Sequence, residues 1–363
     1  MTTYKEIKGT QIEVLESDPS NPVDGQVWYN STDNVLKGNV GSPVASWATV
    51  TSLNQAREYA GGAGTSTAGL VFGGGNYPTF YAVTEKYNGT NWTEVNDMNT
   101  ARQTFAGVGT QTSALAAGGN GPVTITESWN GTNWTEVNDL NQGRNGNAGV
   151  GASNTSALVF GGWGPGAQAT TESWNGSNWT EVNDLNTGRY SLASAGIQTA
   201  AIAFGGTPPN YLAITELWNG TNWTEVNDLN QARGVLAGSG IYTAALAFAG
   251  EIEPSTPTGI TEEWNGTSWT EVNDMNTGRA SVGSAGIYTS ALAAGGTPPT
   301  TGKTETWNGT NWTEEGDLNT ARQELEGGGT TSSAVMAGGQ PPITAASEEW
   351  TGAGPVTRTF TDS

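Results

Sequence analysis

The sequence predicts an all-β protein: a seven-bladed β-propeller with four antiparallel strands per blade, closed by an N-terminal strand. Three observations predict it. The stretch Thr126 to Arg144, TESWNGTNWTEVNDLNQGR, recurs along the 363 residues, and its second Trp stands at Trp47, Trp92, Trp134, Trp179, Trp223, Trp269 and Trp312, at spacings of 45, 42, 45, 44, 46 and 43 residues. A period of that size marks a repeat architecture. Each period holds four short β-type runs between Gly- and Asn-rich turns, and no apolar pattern of period 3.6 appears, which excludes a helical solenoid. Finally, 53 Gly and a hydrophobic fraction of only 35% suit many short strands, while 15 Trp supply large apolar area per residue.

Residues 1 to 40 stand outside the repeat. Lys5 to Leu15 alternates apolar and polar residues and reads as a strand, stopped by the turn cluster Asp18-Pro19-Ser20-Asn21-Pro22. Gly25 to Lys37 reads as a hairpin. This segment is too small to bury a core alone, so it is expected to attach the chain to something else or to copies of itself. Residues 41 to 363 are assigned to the propeller.

Within each period, an Arg precedes a small-residue strand, and a second strand ends in Gly-Gly at Gly73, Gly118, Gly161, Gly205, Gly295 and Gly338, with Ala249-Gly250 as the degenerate member. A loop of varying length follows. The third strand carries an aromatic at Tyr87, Trp129, Trp174, Trp218, Trp264, Trp307 or Trp350. Asn-Gly, the strongest short hairpin signal, turns it into the Trp-Thr-Glu fourth strand. After Trp350 the repeat fails, because Pro355 stands where the second Trp belongs. The isolated Trp47 strand is the expected replacement as outer strand of the last blade. Val356 to Phe360 is also strand-like and competes for that edge.

Composition narrows function. The formal charge of −21 disfavours nucleic acid and anionic membrane surfaces. No run approaches the ~18 apolar residues of a membrane span, and the N-terminus lacks the pattern of a secretory leader. There is no Cys and no His, so neither disulfides nor the commonest general base and metal ligand are present. No metal or cofactor is expected.

Four repeated features carry candidate chemistry. Aromatic pairs such as Trp129 and Trp134 flank a hairpin and offer either sugar-binding faces or filling between blades; the area Trp buries favours filling. Arg57, Arg102, Arg144, Arg189, Arg233, Arg279 and Arg322 form either an anion site or repeated ion pairs, with partners expected in the Glu136 or Asp139 class. Glu85, Glu127, Glu172, Glu216, Glu262, Glu305 and Glu348 are not read as a glycosidase pair, since an active site breaks symmetry and these repeat identically. The Asn-x-Thr sequons, such as Asn130 to Thr132, are read as turn chemistry. The informative departure from symmetry is the loop between the second and third strands, expected on the same face as the crossings between blades and opposite the Asn-Gly hairpins. Tyr77, Phe80, Tyr81, Trp163 and Tyr211 lie in these loops and are the candidate binding residues, set against neutral drift in tolerant loops.

The Gly-Gly, the aromatic of strand three, the Trp of strand four and the Arg opening the next blade resemble the kelch repeat over roughly residues 44 to 363. Kelch-type oxidases need Tyr and His ligands for copper, so the resemblance here implies a binding propeller and no enzyme; a kelch-type protein-binding adaptor is one form of it. The near-identical WNGTNWTEVNDLNTAR units and the N-terminal SDPSNPVDGQVWYNSTDNVLKG also resemble tail-fibre or appendage proteins of tailed bacteriophages, particularly marine ones. That resemblance implies a virion structural protein, made in the host cytoplasm and carried on the particle. It would join other virion proteins through residues 1 to 40 and meet a host-surface glycan or protein with its propeller, or else serve as passive capsid or tail decoration.

Overall fold

The computed structural model describes residues 12–19, 26–40, 45–352 and 356–359. The chain divides into two compact units, one comprising Met1–Ala45 and Gly352–Ser363, the other Ser46–Thr351. The larger unit holds seven four-stranded antiparallel sheets in chain order. The second is typical: Ala106–Thr110, Ser113–Ala117, Thr126–Trp129 and Trp134–Glu136, each paired with the next. The second strand of each blade lies in the middle of its sheet with four of its five residues buried, as in SALAA and AAIAF, so it reads as a continuous apolar run. The outer strands are mostly three residues long and end in an exposed Glu, which leaves little free edge for another chain to pair with.

The core is a set of layers between neighbouring blades. Val150, Leu158 and Phe160 of the third blade pack with Ala201, Ala203, Trp218 and Trp223 of the fourth. The outer Trp is the wedge. Its indole N–H donates backwards to a third-strand Thr of the preceding blade: Trp134 to Thr84 at 2.8 Å, Trp179 to Thr126, Trp223 to Thr171, Trp269 to Thr215 and Trp312 to Thr261, each at 2.9 Å. A buried Trp needs such a partner for its one polar atom.

The Trp47 strand completes the seventh blade. Ser46–Thr49 pairs antiparallel with Ser347–Thr351, bringing Trp47 opposite Trp350, and the Trp47 indole donates to Thr304 at 2.8 Å. Ring closure is visible in a second series. In every blade the N–H that follows the first residue of the Gly-Gly pair donates to the Arg carbonyl of the next blade, for example Gly162 to Arg189 at 2.9 Å, and the series ends with Gly339 to Arg57 at 2.9 Å. The C-terminal strand does not compete for the last blade. Val356–Thr359 pairs with Val35–Val40 in the smaller unit, because Ser46–Thr49 already occupies the outer edge of blade seven. The larger unit accordingly runs from Ser46 to Thr351.

In the smaller unit, Val27–Asn30 and Val35–Val40 form the expected hairpin, and Glu13–Leu15 adds in parallel. The part of the predicted first strand before residue 12, and Ser20 to Gly25, lie outside the described residues. Asp18 gathers this unit's polar groups: it accepts from Asn30 Nδ2 at 2.8 Å, Trp28 Nε1 at 3.1 Å and Lys37 Nζ at 2.8 Å. These bonds, led by Lys37, lower its pKa to about 2.

The junction of blades seven and one differs from the others. Leu53, Val71, Tyr87, Trp92, Val335 and Ala337 form its apolar layer. Ser347 replaces the usual Thr, and among the described residues both its hydroxyl and the Trp92 indole N–H are buried without a partner. A cavity of about 10 Å³ lies between the glycine-rich strands there. Glu326 stands where blades one to six carry Gly or Ala, facing Gly62 of blade one. Burial, then the Glu324 charge, push its pKa up to about 8. Gly61–Thr65, Gly283–Ile287 and Ser333–Ala337, which surround it, carry no charge. The unfolded chain releases this proton near 4.5, the folded chain near 8. Stability is therefore complete below pH 4.5 and falls as the pH rises through 8. Glu326→Gln is expected to remove that slope and gain about 1–3 kcal/mol above pH 8, the shift being discounted because the side chain is only partly covered. Urea midpoints at pH 5 and pH 9 check it; a variant as pH-sensitive as the parent would refute it.

Candidate functional site

The seven Arg–Glu pairs are structural. Each Arg reaches the third-strand Glu of the blade it opens: Arg57–Glu85 at 2.5 Å, Arg102–Glu127 at 3.2 Å, Arg189–Glu216 at 2.5 Å, Arg233–Glu262 at 3.0 Å, Arg279–Glu305 at 2.9 Å, Arg322–Glu348 at 3.0 Å, and Arg144 with Glu172. All fourteen side chains are buried. The partner differs from the Glu136 or Asp139 class expected from the sequence. Asp139 instead accepts the Thr126 N–H at 3.0 Å, and Glu136 is exposed. The reason is local: the Arg-bearing segment turns inward across the end of strand three, whereas the acids of the outer strand and its exit face solvent. Each Glu also accepts from the backbone of the Asn three residues before the Arg, and mostly from its amide as well, as Asn141 does to Glu172 at 2.7 Å twice. Neither an anion nor a substrate has access to these carboxylates and guanidinium groups.

The same crossing builds the loop face. After the Arg, one residue pairs with the residue following Gly-Gly, as in Glu58 with Gly75, Asn145 with Trp163, Tyr190 with Thr207 and Gly234 with Glu251. The next residue takes a left-handed conformation in every blade, from Tyr59 at φ 51° to Thr104 at 55°, even at the β-branched Val235 at 52°. Such a residue is normally unfavourable there, and its recurrence shows that the crossing imposes it. The first Gly of Gly-Gly is also left-handed; a Cβ at Gly161 would stand 2.6 Å from the Arg189 carbonyl. Crossings and strand two-to-three loops thus share one face. On the opposite face the strand one-to-two turn touches the Asn-Gly turn, since Gly131 lies against Thr112 and Gly220 against Thr199.

The five candidate residues fall into two groups. Tyr77, Phe80 and Tyr81 belong to blade one. Tyr77 crowns a small hairpin, Gly75–Asn76 against Thr79–Phe80, and is 75% exposed; Phe80 and Tyr81 are half-buried beneath it. Trp163 of blade three and Tyr211 of blade four form the second group, separated from the first by blade two. Trp163 is 41% exposed and meets Tyr190 edge-on, with ring centroids 5.3 Å apart. Tyr211 lies against Gly234, its hydroxyl donates to Glu251 and its backbone N–H to Glu253 at 3.0 Å. Burial, followed by the Glu251 bond, raises the phenol's pKa. Tyr190, Glu251 and Glu253 were missed by sequence reasoning. A signal existed for Tyr190, the one aromatic that follows a repeat Arg. The second group is therefore a run across blades three to five, with two aromatic rings at one end and a tyrosine between carboxylates at the other. Among the described residues no group of three or more acidic side chains is placed to hold a metal ion.

No family model matches the chain, and no curated protein does. Among solved structures it is similar in fold to that of YjhT, at 12% identity and a TM-score of 0.57, with 73% of this chain and 99% of the other covered. That likeness supports the propeller fold and nothing narrower.

Proposed function

We propose that this chain is a non-enzymatic virion protein of a tailed bacteriophage, whose kelch-type propeller binds a host-surface glycan or protein through its loop face. One observation carries the binding reading. On a ring whose repeated Arg and Glu are all buried against each other, the large aromatic side chains exposed on that face among the described residues, Tyr77 and Trp163, both belong to the non-repeating loops. Aromatic ring faces beside hydroxyl and carboxylate groups suit the binding of polyhydroxyl surfaces, and a rigid scaffold with variable loops is a common setting for recognition. The virion setting rests on the N-terminal SDPSNPVDGQVWYNSTDNVLKG and the near-identical WNGTNWTEVNDLNTAR units, with residues 1 to 40 joining other virion proteins. Weak contacts from clustered copies add through effective concentration.

Trp163→Ala is expected to weaken binding of the purified protein to host cells by about tenfold, since about 1.4 kcal/mol of contact energy is tenfold in affinity. Circular dichroism and melting should stay near the parent, because Trp163 is partly exposed. Unchanged adsorption would leave passive decoration as the better reading. Mass spectrometry of purified particles tests the virion setting independently.

A further inference from the structure

We propose that the hairpin face of the propeller is a contact surface for a second copy of this chain, the two copies meeting face to face about a twofold axis near Ile241. The first argument is the distribution of charge. The one-to-two turns of all seven blades and the six Asn-Gly turns contain only Gly, Ala, Ser, Thr, Asn, Gln, Tyr and Ile, with no Asp, Glu, Lys or Arg. The formal charge of −21 must therefore be felt elsewhere. Glu94, Glu136, Glu181, Glu225, Glu271 and Glu314 are exposed on the outer strands, and Glu251 and Glu253 lie among the loops. Two copies approaching by rim or loop face would set like charges against each other, which costs association energy. The turns of the hairpin face hold no acid, and the Lys86 ammonium donates to the Gly131 carbonyl of one of them at 3.0 Å, so two copies meeting there set no acidic turns against each other.

The second argument is apolar. Ile197, Ile241 and Ile287 end the inner strands of three consecutive blades, four, five and six, and are 53%, 55% and 56% exposed. The matching positions in blades one, two, three and seven are Thr65, Thr110, Ser153 and Thr330. Half-exposed Ile at three adjacent corresponding sites, with Thr or Ser at the other four, makes a single apolar patch on an otherwise polar face. Tyr242 and Tyr288 sit directly behind two of them, packed into the layers between blades. A twofold contact must be self-complementary, and a row of three satisfies this simply: Ile241 meets Ile241, and Ile197 meets Ile287. The hydroxyl and amide turns around the row would supply the polar rim usual for such interfaces.

Sedimentation of the full chain tests this. The parent should show a concentration-dependent dimer that tightens between about 0.1 M and about 1 M NaCl, where the Debye length falls from about 10 to about 3 Å; an interface of ion pairs would loosen instead. Ile241→Asp should weaken the dimer at least about tenfold, while Thr65→Asp, at the same strand position on the far side of the ring, should change it little. Should the Asp variant fold poorly, Ile241→Thr installs the residue of blades one and two and should weaken association in the same direction. A parent that stays monomeric at all concentrations and salts, equal effects of the two Asp substitutions, or dissociation by salt would each overturn the proposal. A monomeric parent whose Ile241→Asp variant becomes protease-sensitive would show instead that another segment of the same chain covers the row.

Discussion

Arg144→Ala is expected to destabilise the propeller by about 3–5 kcal/mol, the range for breaking a buried ion pair by removing one partner. The size follows from what is left behind. The Arg144 guanidinium contacts Glu172 Oε1 and the Thr170 carbonyl, and its Nε donates to the Gln142 carbonyl at 3.3 Å. Without it, Glu172 remains fully buried, with only the Asn141 donors at 2.7 Å and a longer bond from Gln142 at 3.3 Å. Burial lowers the Arg144 pKa, and the Glu172 charge opposes that fall; the Arg keeps its charge at neutral pH because its ordinary value is so high. Arg144→Lys should recover part of the loss, since a single ammonium cannot span both the Thr170 carbonyl and the carboxylate. Replacing both partners, Arg144→Met with Glu172→Leu, should cost less than either single change. Urea midpoints of the parent, of each single variant and of the double variant give the ordering. A single-variant loss below about 1 kcal/mol would mean that water reaches the pair.

Much of this was legible in the chain because a repeat reports each rule seven times. After the aromatic of strand three, Asn-Gly marks the hairpin turn in six blades, and Gly-Gly marks a site where the next blade's Arg carbonyl lies close to where a Cβ would stand. Even the exception is informative: Ala249 takes the left-handed conformation at φ 59° that glycine holds elsewhere. The missing Trp after Trp350 pointed to Trp47 as its replacement, as the pairing bears out. What was illegible depends on lateral neighbours. A typical repeat, such as that of Arg144 with Glu172, Glu181 and Asp184, offers three acids to its Arg, and spacing alone cannot say which one the crossing segment turns toward. Val356–Thr359 is strand-like, but nothing in its residues names the edge it joins. Tyr190 meets Trp163 only because successive blades stand side by side, and Glu251 meets Tyr211 for the same reason.

Trp47→Ala is expected to cost about 3–5 kcal/mol, the range for truncating a buried Trp, and to do something that the same change elsewhere does not. Trp47 is buried, its ring centroid is 5.3 Å from that of Trp350, and its indole donates to Thr304, 257 residues away. Trp179 has the same chemistry, with Trp174 at 5.2 Å and Thr126 as acceptor at 2.9 Å. The two differ in connectivity. Trp179 sits on a strand joined to its neighbour by a four-residue turn, so the chain holds it in place even when its packing is weakened. The Trp47 strand reaches blade seven by closing a loop of some three hundred residues, and the entropy of that closure is recovered from the strand's own contacts together with the pairing of Val35–Val40 with Val356–Thr359. The strand's own contacts are the ladder to Ser347–Thr351, the Trp itself, and Asn319 Nδ2 to the Trp47 carbonyl at 3.4 Å and to Thr49 at 3.2 Å; just after it the Val50 and Leu53 N–H groups donate to the Ser347 and Ala345 carbonyls at 3.0 and 2.9 Å. With Trp47 truncated, the strand should detach before the ring melts, exposing the edge of Ser347–Thr351 and the junction where Trp92 and Ser347 already lack partners. Trp47→Ala should therefore be cut by protease near residue 50 under conditions where Trp179→Ala, of similar melting loss, stays intact. Equal cleavage of the two variants would show that closure of the ring does not depend on this strand.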